Sequence, residues 1–319
     1  MEPSEGPTLM QKWKMHYHNR DFKPKERDTF RAVDRYTLLF CLVFTPSLLI
    51  TALNISIPGI TNYAYIPGHE DSRRRLIFKI IVWFSFIQVL VNWILTVSRS
   101  KRSIVTRETK DDANKPRLEE LPESLGIQED WTVCTKCQHY APPRSHHCDY
   151  CQVCVMKRVH HCYFTSTCIG FHGQRYFMVF LFYAAVGSIA CVILNLSYTG
   201  REIKFWSSEV YSYLPIFTIW KYFMGKMKFV HFFLIIQSWL ALMTFVLATV
   251  FFFWDMLMIF RGQTSYEAWK NIHRYRVEPM HNIRSVFGSY WMLNFIFPMP
   301  TTQDGDGIHW DLHKRVKGN

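Results

Sequence analysis

Residues 134–168 read CTKCQHYAPPRSHHCDYCQVCVMKRVHHCYFTSTC, a stretch that holds seven of the chain's nine cysteines. The order is Cys134-x2-Cys137-x9-His147-Cys148-x2-Cys151-x2-Cys154, then His160-His161-Cys162-x5-Cys168. Thiol pairs with histidines at such intervals suit a tetrahedral zinc site, because thiolate and imidazole are donors this metal favours and a CxxC turn aims two sulfurs at one point. Two Cys3His sites take six cysteines and two histidines, which leaves one thiol of the seven over. Spacing alone does not say which ligands share an ion. It is also compatible with two purely structural zincs and a bystander cysteine.

Outward from this stretch the chain turns apolar in long blocks. Two precede it, at 36–57 and 76–97, and two follow it, at 176–196 and 229–254. A mean hydropathy of -0.04 conceals them, because most of the charge lies between the blocks. Each is close to the ~20 residues with which a helix crosses a ~30 Å hydrocarbon core. The expected fold is therefore an all-α membrane protein, with four transmembrane helices and a small zinc-bound cysteine-rich domain between the second and third. The corresponding division is an N-terminal segment (1–35), helices 1 and 2 (36–97), a linker and cysteine-rich domain (98–175, core 134–175), helices 3 and 4 (176–256) and a C-terminal tail (257–319). The first 35 residues are polar and mixed in charge, so no cleavable signal peptide is expected and the first helix is the anchor.

The formal net charge is +12. Lysine and arginine number eight in 1–35, twelve in 98–175 and eight in 257–319, against three in 58–75 and five in 199–228. Positive segments stay cytosolic, so both termini and the cysteine-rich domain are expected on that side. Arg73, Arg74 and Arg75 run against the trend and are tolerable if they and Lys79 snorkel to headgroups. In the reducing cytosol disulfides are a poor account of the cysteines. Cys41 and Cys191, inside apolar blocks, read as small packing residues. A nucleic-acid-binding finger is disfavoured, since the segment is tethered to membrane at both ends and lacks a helical spacer between its ligand pairs. Intramembrane charge is limited to Lys79 and Asp255 near the expected helix ends, where snorkelling explains both and no ion pathway is expected.

At these residues the chain resembles the DHHC cysteine-rich domain of protein palmitoyltransferases, from Cys134 to about Phe177 without an insertion. Pro142, Pro143 and Arg144 before the His-Cys pair, and Cys168-Ile169-Gly170 leading to the third helix, belong to the same resemblance. Outside the domain, Thr264-Ser265-Tyr266-Glu267 is similar to the family's Thr-Thr-x-Glu element, and Asn282 to Gly288 is similar to its Asn-x-x-x-Val-Phe-Gly segment, which packs under the membrane domain. The resemblance implies interleaved zinc sites, with Cys134, Cys137, His147 and Cys154 for one ion and Cys148, Cys151, His161 and Cys168 for the other. It makes Cys162 the nucleophile and His160 its base, with Thr264, Ser265, Glu267 and Asn282 in support. If the chain is extended there, alternation turns His160 and Cys162 to one side and His161 to the metal.

What the resemblance implies chemically is transfer of a palmitoyl group from acyl-CoA to Cys162 and then to a cysteine of a substrate protein, with two structural zinc ions and an endoplasmic reticulum or Golgi location. A free thiol has a pKa of about 8.5, so a nearby imidazole is needed to make thiolate readily. An apolar cavity between the helices is the expected seat for the chain, since burying a 16-carbon acyl group is worth on the order of 10 kcal/mol. The sequence departs from the family at its name residue: the tetrapeptide is Val159-His160-His161-Cys162, and valine cannot orient a histidine. Tyr163-Phe164 stand where Pro-Trp is usual, and Thr165-Ser166-Thr167 replace a stretch usually rich in Val and Asn. Val159 predicts a loss of rate, recoverable by Val159→Asp, and the changes after Cys162 predict either an altered acyl-chain selection or a nucleophile that no longer works. These departures also motivate the alternative of a weakened family member acting as a membrane scaffold or substrate-binding protein.

Overall fold

The computed structural model describes residues 24–58, 70–105, 131–137, 139–203, 210–297, 303, 305–308 and 310. Most of the predicted N-terminal segment and the linker between 106 and 130 therefore lie outside the described residues. Four helices are long and apolar enough to cross a membrane. They are α1 (Pro24–Thr51), α2 (Glu70–Ser100), α3 (Gln174–Ile203) and α5 (Phe229–Arg261), and this is a multi-pass membrane protein. Each runs past the apolar block that announced it. Hydropathy marks where lipid contact ends, whereas the hydrogen-bonded helix continues through polar residues. The 33 residues of α5 make a rod of about 50 Å, well beyond the ~30 Å hydrocarbon core.

The helix α3 is central: half of its most apolar stretch is buried inside the protein, against about a fifth for the other three. Buried polar groups join the helices. Thr51 Oγ1 donates to Gln237 Oε1 (2.9 Å), Asn195 Nδ2 donates to the same oxygen (3.0 Å), and Ser56 Oγ donates to Asn195 Oδ1 (2.7 Å). In hydrocarbon, where no water competes, such pairs hold helices together and fix their rotation. Ser56 lies in a π-helical turn, Ala52–Ser56, that continues α1.

Two elements were not anticipated. The first is α4 (Pro215–Phe223), a nine-residue helix with proline at its start, which rests on α5 and leaves Ile216 and Phe223 exposed. Nine residues are too few for a spanning signal, so its sequence merges into the loop before α5. The second is the cysteine-rich segment's architecture. It consists of three two-stranded antiparallel hairpins, β1 (Thr132–Cys134) with β2 (His139–Ala141), β3 (His146–Cys148) with β4 (Val153–Val155), and β5 (His160–Cys162) with β6 (Thr167–Ile169). The chain leaving α2 pairs with the middle hairpin, through Val105 N to Cys154 O (2.8 Å) and Met156 N to Ser103 O (2.7 Å). A Cβ on Gly170 would meet Met156 O at 2.8 Å and Ser103 Cβ at 2.9 Å, so this close approach requires glycine there.

Beyond α5, α6 (Ser265–Trp269) and α7 (Pro279–Phe287) close the same end of the bundle. Val286 and Phe287 pack with Met178 of α3 and Ile259 of α5. The reading of Asp255 as a snorkelling residue is corrected. It is 1% exposed, because α5 continues to Arg261 and the face carrying Asp255 is covered.

Candidate active site and metal centres

The hairpin register explains how two ligand sets interleave. His147 stands opposite Cys154 in β3–β4, and His161 stands opposite Cys168 in β5–β6. Each His-Cys pair meets a CxxC turn from the preceding hairpin: Cys134 and Cys137 for the first set, Cys148 and Cys151 for the second. Within each set the four donor atoms lie within 4.8 Å of one another. His147 Nδ1 is 3.7 Å from Cys134 Sγ and 3.2 Å from Cys137 Sγ, and Cys154 Sγ is 3.8 Å from Cys137 Sγ. In the second set, His161 Nδ1 lies 3.7, 3.3 and 3.7 Å from the sulfurs of Cys148, Cys151 and Cys168. A tetrahedral zinc with Zn–S of about 2.3 Å and Zn–N of about 2.0 Å asks for donors roughly 3.5–3.8 Å apart, so both sets fit the ion.

In both histidines Nδ1 faces the sulfurs and Nε2 is free for an outer partner. His161 Nε2 meets Asp34 Oδ2 at 3.2 Å, a carboxylate on the early turns of α1, far away in sequence. Such a carboxylate–histidine pair fixes the ring and raises ligand basicity. Asp34→Ala is accordingly expected to weaken retention of one of two zinc ions by about 10- to 100-fold, read as chelator-competition curves on purified protein.

Strand β5 presents the thiol outside both sets. Cys162 is 5% exposed and packs with Val159, Ile169, Phe177, Leu181 and Ala248. Burial pushes its pKa up, a hydrogen bond from Thr165 pulls it down, and the charge of Asp255 adds to the rise. Burial also pushes His160 down to about 4, with the Arg158 guanidinium acting in the same direction, so this imidazole is neutral and available as a base. Its ring lies against Phe177 (centroids 5.1 Å apart) and Phe251 (6.2 Å). Val159 is buried and offers neither residue a hydrogen bond.

His160 and Cys162 both line an apolar cavity of about 410 Å³ that extends between all four long helices. Phe40 and Leu48 of α1, Val89 and Trp93 of α2, Leu181 and Gly187 of α3 and Leu247 and Phe251 of α5 are among its walls. None of these could be singled out from sequence, because lipid-facing and cavity-facing positions draw on the same residue types. Cys41 and Cys191, read as packing residues, also border it.

The predicted supporting residues cluster behind the hairpins. Thr264 and Glu267 form a reciprocal cap on α6, with Glu267 N donating to Thr264 Oγ1 (3.2 Å) and Thr264 N donating to Glu267 Oε2 (2.8 Å). The same carboxylate receives Arg144 through Nε (2.7 Å) and a terminal nitrogen (2.8 Å), so the element after α5 grips the cysteine-rich segment. Ser265 Oγ accepts from Trp254 Nε1 at 3.2 Å. Asn282 Nδ2 donates to Phe260 O (3.2 Å) and Val277 O (3.1 Å), tying α7 to the end of α5. Gly262 ends α5 at φ +68, and a Cβ there would meet the Asn282 amide at 2.7 Å.

A four-helix membrane bundle that closes on two Cys3His clusters, with a further thiol facing an apolar intramembrane cavity, defines the class of molecule. The chain belongs to the DHHC palmitoyltransferase family, whose model matches residues 127–272. It is 31% identical over 237 residues to palmitoyltransferase ZDHHC22 of Danio rerio, covering 73% of this chain and 79% of that one. Probable palmitoyltransferase ZDHHC24 of Rattus norvegicus is 30% identical over 185 residues, 57% of this chain and 65% of its own length. The ZDHHC24 of Danio rerio is 30% identical over 184 residues, 57% and 62% respectively. The chain thus spans somewhat less than two thirds of the ZDHHC24 proteins.

Proposed function

We propose that this chain is a protein S-acyltransferase that carries a long-chain fatty acyl group, palmitoyl in the first instance, on Cys162. The observation that supports it most is that the one cysteine of residues 134–168 belonging to neither metal-type cluster opens, beside His160, onto an apolar cavity among the membrane helices. In the first step His160 takes the Cys162 thiol proton and the thiolate attacks the thioester carbonyl of acyl-CoA. The carbon–sulfur bond to CoA breaks, CoA leaves as its thiol with that proton, and Cys162 holds the acyl group. A substrate cysteine repeats the exchange and restores the Cys162 thiol. One thioester replaces another in both steps, so no further energy source is needed.

Cys134, Cys137, His147 and Cys154 would hold one zinc ion, and Cys148, Cys151, His161 and Cys168 the other. Bound there, each ion supplies structural cross-linking of hairpins that bury little of their own surface. The distribution of lysine and arginine supports a cytosolic face for the hairpins and both termini, and the family resemblance implies endoplasmic reticulum or Golgi membranes. The acceptors are then cytosolic or membrane-bound proteins with accessible cysteines. Val159 favours one second reading, a weakened family member that scaffolds or binds substrates.

The test is a two-stage incubation of detergent-purified protein. Labelled palmitoyl-CoA is expected to load the protein without acceptor, and an added acceptor protein is expected to discharge that label with ping-pong kinetics. Failure to load would reject the catalytic reading and leave the scaffold; loading without discharge would reject transfer.

A further inference from the structure

Asp255 raises a question that the family resemblance does not answer. It stands in the middle of the end of α5 that meets the hairpins, is 1% exposed, and its Oδ2 is buried with no hydrogen-bond partner. An ionisable group enclosed without a partner lowers stability, and native proteins keep few of them. Its place on the helix is informative. Ala248 packs in the same cluster as Val159 and Cys162, and Phe251 faces the His160 ring. Asp255 follows these by seven and four residues, so it continues the stripe of α5 that looks at strand β5. No hydrogen bond to the His160 ring is found among the described residues, so the imidazole has a ring nitrogen to offer and Asp255 has an acceptor to spare.

We propose that Asp255 is the acid that orients His160 in this chain, supplied by the fourth membrane helix in place of the aspartate that Val159 replaces. It accepts a hydrogen bond from the ring N–H that faces away from Cys162, which leaves the other nitrogen unprotonated toward the thiol. The contact closes when substrate fills the site, as catalytic hydrogen bonds commonly tighten on binding. Asp255 is thus a positioning residue that acts through His160. On this account Val159→Asp adds little to the wild-type chain, because the position it would serve is already filled from across the interface.

The inference rests on the acyl-transfer reading, and a four-protein comparison separates the two. Initial rates of hydroxylamine-labile loading from palmitoyl-CoA are measured for wild type, Asp255→Ala, Val159→Asp and the double variant, with zinc content as the check on folding. Asp255→Ala is expected to lower kcat by about 10- to 100-fold while KM for palmitoyl-CoA moves less than about twofold. Val159→Asp alone is expected to change the rate by less than about threefold. In the double variant it is expected to bring the rate back to within about threefold of wild type. If the alanine variant loses zinc, the isosteric Asp255→Asn serves in the same comparison. A wild-type rate in Asp255→Ala, or a zinc-replete Asp255 variant that Val159→Asp does not restore, overturns the role assigned to Asp255 alone. Absence of loading in wild type overturns the acyl-transfer reading and this inference with it.

Discussion

Cys148→Ser is expected to reduce bound zinc from two ions to one and to bring Cys162 loading down to background. Cys148 is fully buried in the second cluster, where it shares an ion site with Cys151, His161 and Cys168. Three-residue strands cannot hold themselves together, and binding of a structural zinc is worth roughly 10–16 kcal/mol, so the ion's binding energy is the hairpins' folding energy. The consequence for chemistry follows from His161, which is a donor in that cluster and sits between His160 and Cys162 on β5. Once the cluster opens, the strand that presents base and nucleophile is no longer held. Cys137→Ser, in the first cluster, is also expected to release one ion, but with a partial rather than complete loss of loading, since none of its partners adjoins Cys162 in the chain. Zinc stoichiometry and loading rate measured on the same preparations check both. Equal losses from the two variants would contradict the assignment of His161 as the link.

The second large effect is expected at the contact between Arg144 and Glu267. Their side chains are 4% and 3% exposed and meet through two short hydrogen bonds. The guanidinium also lies over the rings of Tyr275 (4.8 Å) and Trp310 (4.4 Å) and donates to Gly262 O (3.0 Å). Removing one partner strands the other charge in the interior, at a cost of about 3–5 kcal/mol. Arg144→Ala is therefore expected to lower the unfolding temperature sharply. A paired replacement, Arg144→Met with Glu267→Leu, is expected to recover part of the loss because no uncompensated charge remains. Melting curves of the three proteins in one detergent decide this, and a double variant less stable than Arg144→Ala would contradict it.

The parts of this molecule that were legible in its sequence were those carried by composition and by local spacing. Four apolar blocks announced α1, α2, α3 and α5, and the CxxC pairs announced two metal-type clusters. Which His-Cys pair meets which CxxC turn was not legible from spacing, because it depends on the register His147 opposite Cys154 and His161 opposite Cys168. Those pairings come from short strands with no alternating pattern to betray them. Asp34 gave no signal at all, since its contact with His161 joins the start of α1 to a strand far downstream. Asp255 did give one, a carboxyl directly after an apolar block. It was misread because a helix end and a helix interior look alike until it is known that α5 continues to Arg261.

The central claim, that Cys162 carries the acyl group, is tested most directly by locating the adduct. The protein is loaded with palmitoyl-CoA, digested, and its nine cysteines are surveyed by mass spectrometry before and after neutral hydroxylamine. The expected result is a hydroxylamine-labile palmitoyl group on the peptide containing Cys162, absent from Cys162→Ser. Label on Cys41 or Cys191, which border the same cavity, or label that persists in Cys162→Ser, would contradict it.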